Sequence, residues 1–528
     1  MLPHWSKSLL SEVNVATLLV FVVVYLSLHY HLKRRRRRHR RLANIPPGPK
    51  PLPIVGNFGV FLIPSFIRRR IGNASKPSST PVEALTEQAA IYGEVFSLFV
   101  GTQLIVVLNG YDVIRDAFHH RPQVFSDRPD IPAVTIMTKR KGIVFAPYGP
   151  VWRKHRKFCH ASLRNFGVGK LSLEPCILQG LATVKSELLR LRQEVGKGGM
   201  DLMPLVSNAV SNVICSLALG ERFPQDDRQF GTLLGLMVRG LELCVNSPAV
   251  LINVFPPLYH LPFGAFGELR RVERDITAFL KRMIAKHRDT LDPENPRDLV
   301  DMYLVEIARQ RAAGVEDSSF DEDYLFYIIG DLFIAGTDTT TNSLLWILLY
   351  MAVHTHVQDK VQAEVDKVVG RCRVPSLTDR GRLPFTEATI MEVQRLTSVV
   401  PLGIPHMASK TTDFRGFTIP EGTVLLPNLW SVHRDPAMWD QPDSFRPQRF
   451  LDDEGQVARK ECFMPFGIGR RMCMGEQLAK MELFLMVTGL LQAFTFRLPD
   501  GTPPPPMHGR FGLTLAPCPF TVSVSPRG

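Results

Sequence analysis

The residue with the strongest claim to chemistry is Cys473. It lies in the string Phe466-Gly467-Ile468-Gly469-Arg470-Arg471-Met472-Cys473-Met474-Gly475, just ahead of a helical run that begins Glu476-Gln477-Leu478. Glycines on both sides permit backbone conformations and close approaches that a Cβ would block, so a flat macrocycle can lie against the loop. A cysteine just before a helix start meets oriented amides and the positive end of the helix dipole, and both stabilise the thiolate, the form of sulfur that binds metals. A single cysteine is more often a buried apolar residue. The other seven, Cys159, Cys176, Cys215, Cys244, Cys372, Cys462 and Cys518, are scattered without CxxC pairs. That excludes a disulfide framework and a structural zinc pattern and fits a reducing compartment.

Three further groupings have spacings that chemistry can use. Glu392 and Arg395 share a helix face in Glu392-Val393-Gln394-Arg395, and an isolated pair of that kind is an ordinary surface ion pair of little energetic value. Trp152 and Arg156, four apart in Trp152-Arg153-Lys154-His155-Arg156-Lys157, point the same way and offer an indole N–H and a guanidinium to an anion. In Ala335-Gly336-Thr337-Asp338-Thr339-Thr340 a carboxylate stands beside a hydroxyl. Asp338 can exchange protons with water while Thr339 orients a hydrogen bond, although a packed bend is the plainer reading. Nucleotide motifs fail: Gly467-Ile468-Gly469 has Met472 where a dinucleotide fingerprint needs its last glycine, and Gly169-Lys170 is followed by Leu171 with no glycine at the P-loop spacing.

The ten-residue cysteine string fits FGxGxRxCxG and closely resembles the haem-binding loop of the cytochrome P-450 family. The resemblance implies a monooxygenase in which the Cys473 thiolate is the axial ligand of haem b, pushing electron density onto iron to favour O–O cleavage. It also implies roles for the other groupings. Glu392 and Arg395 are the family's ExxR pair, joined in a buried structural network by Arg449 of Pro447-Gln448-Arg449-Phe450, where the family often has Glu at the place of Gln448. Ala335 to Thr340 resembles the oxygen-binding kink of the family's long central helix, with Asp338 and Thr339 as an acid and alcohol pair relaying protons. Trp152 and Arg156 match the WxxxR pattern that holds a haem propionate, and Arg128, Arg471 and His406 sit where relatives place further propionate partners.

Longer strings, Phe145 to Arg153, Ser207 to Asn212 and Tyr324 to Trp346, resemble the animal microsomal family 2 enzymes and especially their U subfamily. That likeness implies hydroxylation of long-chain fatty acids such as arachidonate near the methyl end, with NADPH and O₂ consumed. The pocket candidates by position are Ile131, Ile136, Phe333, Ala335, Val400, Ile404 and Leu513, with simple core packing at least as good a reading of Ile136 and Leu513. Such apolar walls suit a steroid or xenobiotic equally. A haem-thiolate isomerase is the competing class, but such enzymes commonly lack the acid and alcohol pair. No flavin, nicotinamide or iron–sulfur motif exists in the chain, so electrons must come through the separate NADPH cytochrome P-450 reductase, with cytochrome b5 as an optional second donor. Arg153, Lys154, Arg156, Lys157 and Arg470 form a candidate docking face for an acidic partner.

These groups must be positioned by one large core. The chain has 528 residues, 45% of them apolar and 21% charged. Helical periodicity dominates from about residue 150 to 400, and strand-like alternation is confined to pieces such as Val95 to Leu108 and Thr423 to Leu426. The predicted class is mainly α, a helix-rich domain with a minor β-sheet region, plus one N-terminal transmembrane helix. Residues 64 to 88 read as a surface loop. Tyr324 to Val353 is apolar enough to suggest a second span, but Asp331, Asp338 and the polar run after it favour a buried helix.

The net charge of +13 does not signal nucleic acid, because Lys33, Arg34 to Arg38, Arg40 and Arg41 supply eight of those charges beside the uncharged apolar stretch Val13 to Leu28. Cations after the apolar run, rather than before it, argue against a cleaved signal and for an uncleaved anchor with the rest of the chain in the cytosol. The layout is then an anchor and stop-transfer segment at 1–45 and a catalytic domain at 46–528, on the endoplasmic reticulum membrane, with a mitochondrial share left open. Ile45-Pro46-Pro47-Gly48-Pro49 makes a stiff spacer. The only N-glycosylation sequon, Asn73-Ala74-Ser75, would stay unmodified on this topology.

Overall fold

The computed structural model describes residues 44–52, 56–57, 80–195, 198–246, 248–253, 256–316 and 318–527, together with Tyr30. The expected anchor, the basic run after it, Arg68 to Arg70 and the Asn73 sequon lie outside the described residues. Among the described residues no helix is long and apolar enough to cross a membrane, and Tyr324 to Val353 accordingly belongs to an interior helix.

The elements that concern the site are α1 (Pro81–Tyr92), β1 (Val95–Val100), β2 (Gln103–Leu108), α2 (Pro132–Thr138), α3 (Pro150–Asn165), α4 (Glu174–Val195), α5 (Met203–Leu219), α6 (Arg228–Asn246), α7 (Gly264–Asp289), α8 (Leu299–Ala312), α9 (Glu322–Val353), α10 (Thr355–Val368) and α11 (Pro384–Thr397). They continue with β3 (His406–Met407), β4 (Thr412–Phe414), β5 (Phe417–Ile419), β6 (Val424–Pro427), α12 (Glu476–Ala493), β7 (Phe494–Arg497), β8 (Arg510–Phe511), β9 (Leu515–Ala516) and β10 (Ser523–Pro526). Helices dominate, as the periodicity predicts, and both predicted strand pieces are strands.

Local chemistry explains where helices begin. Asp321 accepts the Tyr324 N–H at the start of α9, and Asp298 accepts the Asp301 N–H at 2.9 Å at the start of α8. Thr80 and Glu83 form a reciprocal capping box with Pro81 at the first helical position. That cap corrects the surface-loop reading of residues 64 to 88: from Pro81 onward the segment is helical, and Val82 and Leu85 are fully buried.

The 32-residue α9 is the axis of the fold, about 48 Å long at the usual helical rise. Along it runs α5, so close that a Cβ on Gly336 would come within 2.4 Å of Ile214 Cδ1. α9 stays helical through Ala335 to Thr340. Within this stretch Gly336 serves the close packing, and the Thr339 hydroxyl donates back to the Ala335 carbonyl at 2.6 Å. A four-stranded sheet in the order β1-β2-β6-β3, with only β2 and β6 parallel, flanks the helices and carries His406 on its edge strand.

Candidate active site

Cys473 sits on a tight loop between a single 3₁₀ turn, Gly469–Arg471, and the start of α12. Its amide donates to the Phe466 carbonyl at 3.0 Å, which folds the loop back on itself. Gly469, at φ +82°, is needed because a Cβ there would lie 2.1 Å from the Phe118 carbonyl oxygen. Gly467, at φ +72°, has open space where its Cβ would be. Both glycine requirements agree with the sequence reading.

The loop faces a cavity of about 560 Å³. Cys473 keeps accessible surface because it borders that cavity, yet it is desolvated, and burial pushes its thiol above the ordinary range while the Gly475 amide pulls it down. A bound metal cation would further favour the thiolate that the loop amide and Arg156 already favour.

Around the same cavity stand three guanidiniums, Arg128 buried and Arg156 and Arg471 half-buried, together with His406. Arg128, 4% exposed, donates to the carbonyls of Val144, Ile404 and Pro405 at 2.8 to 3.0 Å. Arg471 donates to Ser126, Ile143 and Ala146 carbonyls, and Arg156 to that of Met472. His406 is buried, with Nδ1 2.6 Å from the Phe125 carbonyl. Burial first, then repulsion by Arg471 and Arg156, push the Arg128 guanidinium well below its ordinary pKa, against the pull of Asp127 and Asp331. Arginine does not shed its proton in response, and three guanidiniums share these two carboxylates. Cys473, Gly467 and this excess of positive charge fit a flat metal-bearing macrocycle with acidic side arms.

A family model, Cytochrome P450, matches residues 46–524. The chain belongs to the cytochrome P450 family. Similar relatives include human Cytochrome P450 2U1, 55% identical over 92% of this chain and 90% of that one, and the mouse protein of the same name, 56% identical over 92% of each. Dog Cytochrome P450 2D15 is 39% identical over 91% of this chain and 93% of its own. The protein is thus a haem-thiolate monooxygenase of cytochrome P450 family 2, subfamily U.

In this cytochrome P450 the cavity wall includes Arg128, Ile131, Arg156, Ala335, Asp338 and Thr339 from the expected set. It also includes Val400, Ile404, His406, Phe466, Arg471, Cys473 and Leu513. Three expected residues, Phe333, Trp152 and Ile136, are absent from it. Phe333 is fully buried in the main core on the far side of α9, in a stripe with Thr337 and Thr341. Trp152 is 3% exposed and spends its indole N–H on the Ile143 carbonyl at 2.9 Å, under the Arg471 guanidinium at 4.1 Å from its ring. Trp152 therefore props up an arginine and a loop rather than facing the cavity. Ile136 likewise packs in a small satellite core.

Glu392, Arg395 and Arg449 come together in one buried network. Glu392 and Arg395, both 0% exposed, pair at 2.7 Å, and Arg449 reaches the other Glu392 oxygen at 2.9 Å. Arg395 also donates to the His433 and Pro442 carbonyls. His433 extends the network: Met464 N–H donates to its Nε2 at 3.1 Å, which leaves the proton on Nδ1 facing the Ser398 hydroxyl at 2.8 Å. Burial holds this imidazole neutral, with its pKa pushed down to about 3.

Asp338 and Thr339 do not bond each other. Asp338 accepts from Thr514 at 2.6 Å and from Asn342 at 3.2 Å, and burial raises its carboxyl above the ordinary range. Sequence reading missed Thr514, which lies 176 residues away, and it missed what Asp331 does. Asp331 accepts the amides of Ile143 and Val144 at 2.6 and 2.9 Å, fixing the loop that supports Arg128, Arg471 and Trp152. The signal was present, since a carboxylate inside an apolar helix must have partners.

Proposed function

We propose that this cytochrome P450 hydroxylates long-chain fatty acids such as arachidonate near the methyl end. Electrons come from NADPH through the separate diflavin reductase of the same membrane. One observation carries the reading: a single cavity joins Cys473, the guanidiniums of Arg128, Arg156 and Arg471, Asp338 and Thr339, and an apolar wall containing Ile131, Val400, Ile404 and Leu513. Such a wall suits a flexible hydrocarbon chain.

When bound, the haem supplies a thiolate-ligated iron able to activate dioxygen. The chain supplies the rest. Cys473 Sγ would ligate the iron, and Arg128, Arg156 and Arg471, with His406, would hold the propionates, the arginines forming stronger charge-assisted bonds there than to backbone carbonyls. Trp152 would hold Arg471 in place by stacking. The apolar wall excludes water and holds the hydrocarbon. Asp338, its carboxyl raised by burial, would take protons from solvent and present them beside the Thr339 hydroxyl.

The layout behind this reading is a membrane anchor at 1–45 and a catalytic domain at 46–528 facing the cytosol from the endoplasmic reticulum. Arg153, Lys154, Lys157 and Arg470 are exposed and suit an acidic redox partner, while Arg156 is turned inward. The deciding experiment reconstitutes the haem-loaded protein with reductase and NADPH and offers a panel of fatty acids and steroids. Coupled formation of hydroxylated fatty acid is expected. Oxidation of steroids alone would overturn the substrate, and rearrangement without NADPH consumption would overturn the oxygenase.

A further inference from the structure

Thr514 occupies the turn between β8 and β9, and its surroundings give it more than a wall position. Its hydroxyl donates to Asp338 Oδ2 at 2.6 Å. The Asn342 amide closes a ring by donating both to Asp338 Oδ1 and to Thr514 Oγ1, each at 3.2 Å. Both oxygens of the carboxylate are thus engaged, and neither is engaged by Thr339, whose hydroxyl is turned to the Ala335 carbonyl. A carboxylate held this way must let go of at least one donor before it can rotate and pass a proton on.

The donor that can move is Thr514, because Asn342 is fixed on α9 one turn beyond Asp338. The backbone beside Thr514 is pinned: Leu515 N–H donates to the Val399 carbonyl and Trp346 Nε1 to the Leu515 carbonyl, both at 2.8 Å, and Gly512 N–H donates to the Thr514 carbonyl at 2.9 Å. What can turn is the Thr514 side chain. Leu513 and Thr514 both line the cavity, so an occupant pressing on Leu513 reaches the hydroxyl that holds Asp338.

We propose that Thr514 is a positioning residue for the reaction, parking the Asp338 carboxylate while the cavity is empty and releasing it when an occupant against Leu513 turns the Thr514 side chain away. This rests on the reading of Asp338 as the proton carrier. It links the presence of substrate to the delivery of protons, and so limits the loss of NADPH electrons to O₂ as peroxide.

The test uses the haem-loaded protein with reductase, NADPH and arachidonate as the probe, comparing wild type with Thr514→Val, Thr514→Ser and Asp338→Asn. Valine keeps the shape and removes the donor, and unfolding curves together with the carbon monoxide spectrum verify that each variant is folded and loaded. Without arachidonate, Thr514→Val should oxidise NADPH to peroxide several-fold faster than wild type, and Thr514→Ser should match wild type. The acid limb of the turnover pH profile should move upward in Thr514→Val, since the lost hydroxyl was stabilising the carboxylate. Infrared difference spectra give a readout independent of turnover: the carboxyl band that disappears in Asp338→Asn should shift when arachidonate binds wild type, and should start at the shifted position in Thr514→Val.

A band in wild type that ignores arachidonate, or a valine variant indistinguishable from wild type, overturns the proposal while a defective Asp338→Asn leaves the proton-carrier reading standing. If Asp338→Asn itself keeps normal coupling, the carrier reading falls and the proposal falls with it.

Discussion

Two groups of arginines serve this site, and they differ in how their charge is met. Arg395 and Arg449 share Glu392, so that group hydrogen-bonds its own anion, and further donors go to backbone carbonyls. The side chains of Arg128, Arg156 and Arg471 hydrogen-bond backbone carbonyls and repel one another, and the nearby Asp127 and Asp331 carboxylates offset only part of their charge. The first arrangement is complete in the polypeptide and acts as scaffold. The second keeps an excess of positive charge that an added anion would meet, which marks it as a binding site. Arginine burial alone does not separate the two roles; the location of the counter-charge does.

The largest effect should come from breaking the first group. Glu392→Ala leaves two guanidiniums buried without an anion, at a cost of about 3–5 kcal/mol. The loss should appear in denaturant unfolding of both the haem-free and the haem-loaded protein. If the haem-free midpoint were unmoved, the network would be as cofactor-dependent as the second group and the contrast would vanish.

The next effect is a pH dependence within the second group. Burial raises the Asp331 carboxyl from 3.8 to about 6, against the pull of the Ile143 and Val144 amides and of Arg128. A carboxyl with a raised folded pKa binds more protons folded than unfolded between those two values, so stability falls as pH rises through that window and stays lowered above it. The span corresponds to at most about 3 kcal/mol. Asp331→Asn should flatten that part of the stability profile relative to wild type, and parallel profiles would show that Asp331 titrates normally.

A third experiment separates the groups directly. Arg128→Met should leave the haem-free protein as stable as wild type or more so, because it removes a buried cation that its neighbours repel. In the loaded protein it removes one partner of a buried charge pair. A cost of about 2 kcal/mol there is about thirtyfold faster haem loss, measured by transfer to excess scavenging globin. Equal destabilisation of both forms would make Arg128 scaffold like Arg395.

How far the sequence revealed these arrangements depends on range. The cysteine loop was legible because its requirements are local: two glycines at positive φ, a turn and a helix start within ten residues. Glu392 and Arg395 were legible as one turn of helix, and their completion by Arg449 came from the family pattern. Phe333 was misplaced although helix phase could have excluded it, since Phe333, Thr337 and Thr341 recur every four residues on the face turned from Ala335 and Thr339. Asp331 signalled only that it needs partners, and Thr514 gave no signal, because their partners lie 187 or 188 and 176 residues away and only the fold brings them together.

The smallest effect decides which group Trp152 serves. Its indole N–H is committed to the Ile143 carbonyl, and its ring carries Arg471 at 4.1 Å and Arg156 at 5.3 Å. Trp152→Phe loses that hydrogen bond and a better cation–π surface, together on the order of 1 kcal/mol. If the indole works by holding the Ile143 loop and Arg471, the loss should be equal in haem-free and haem-loaded protein, because those contacts exist in the polypeptide alone. A loss confined to the loaded protein would instead put the N–H on a propionate, moving Trp152 back into the group that waits for its anion.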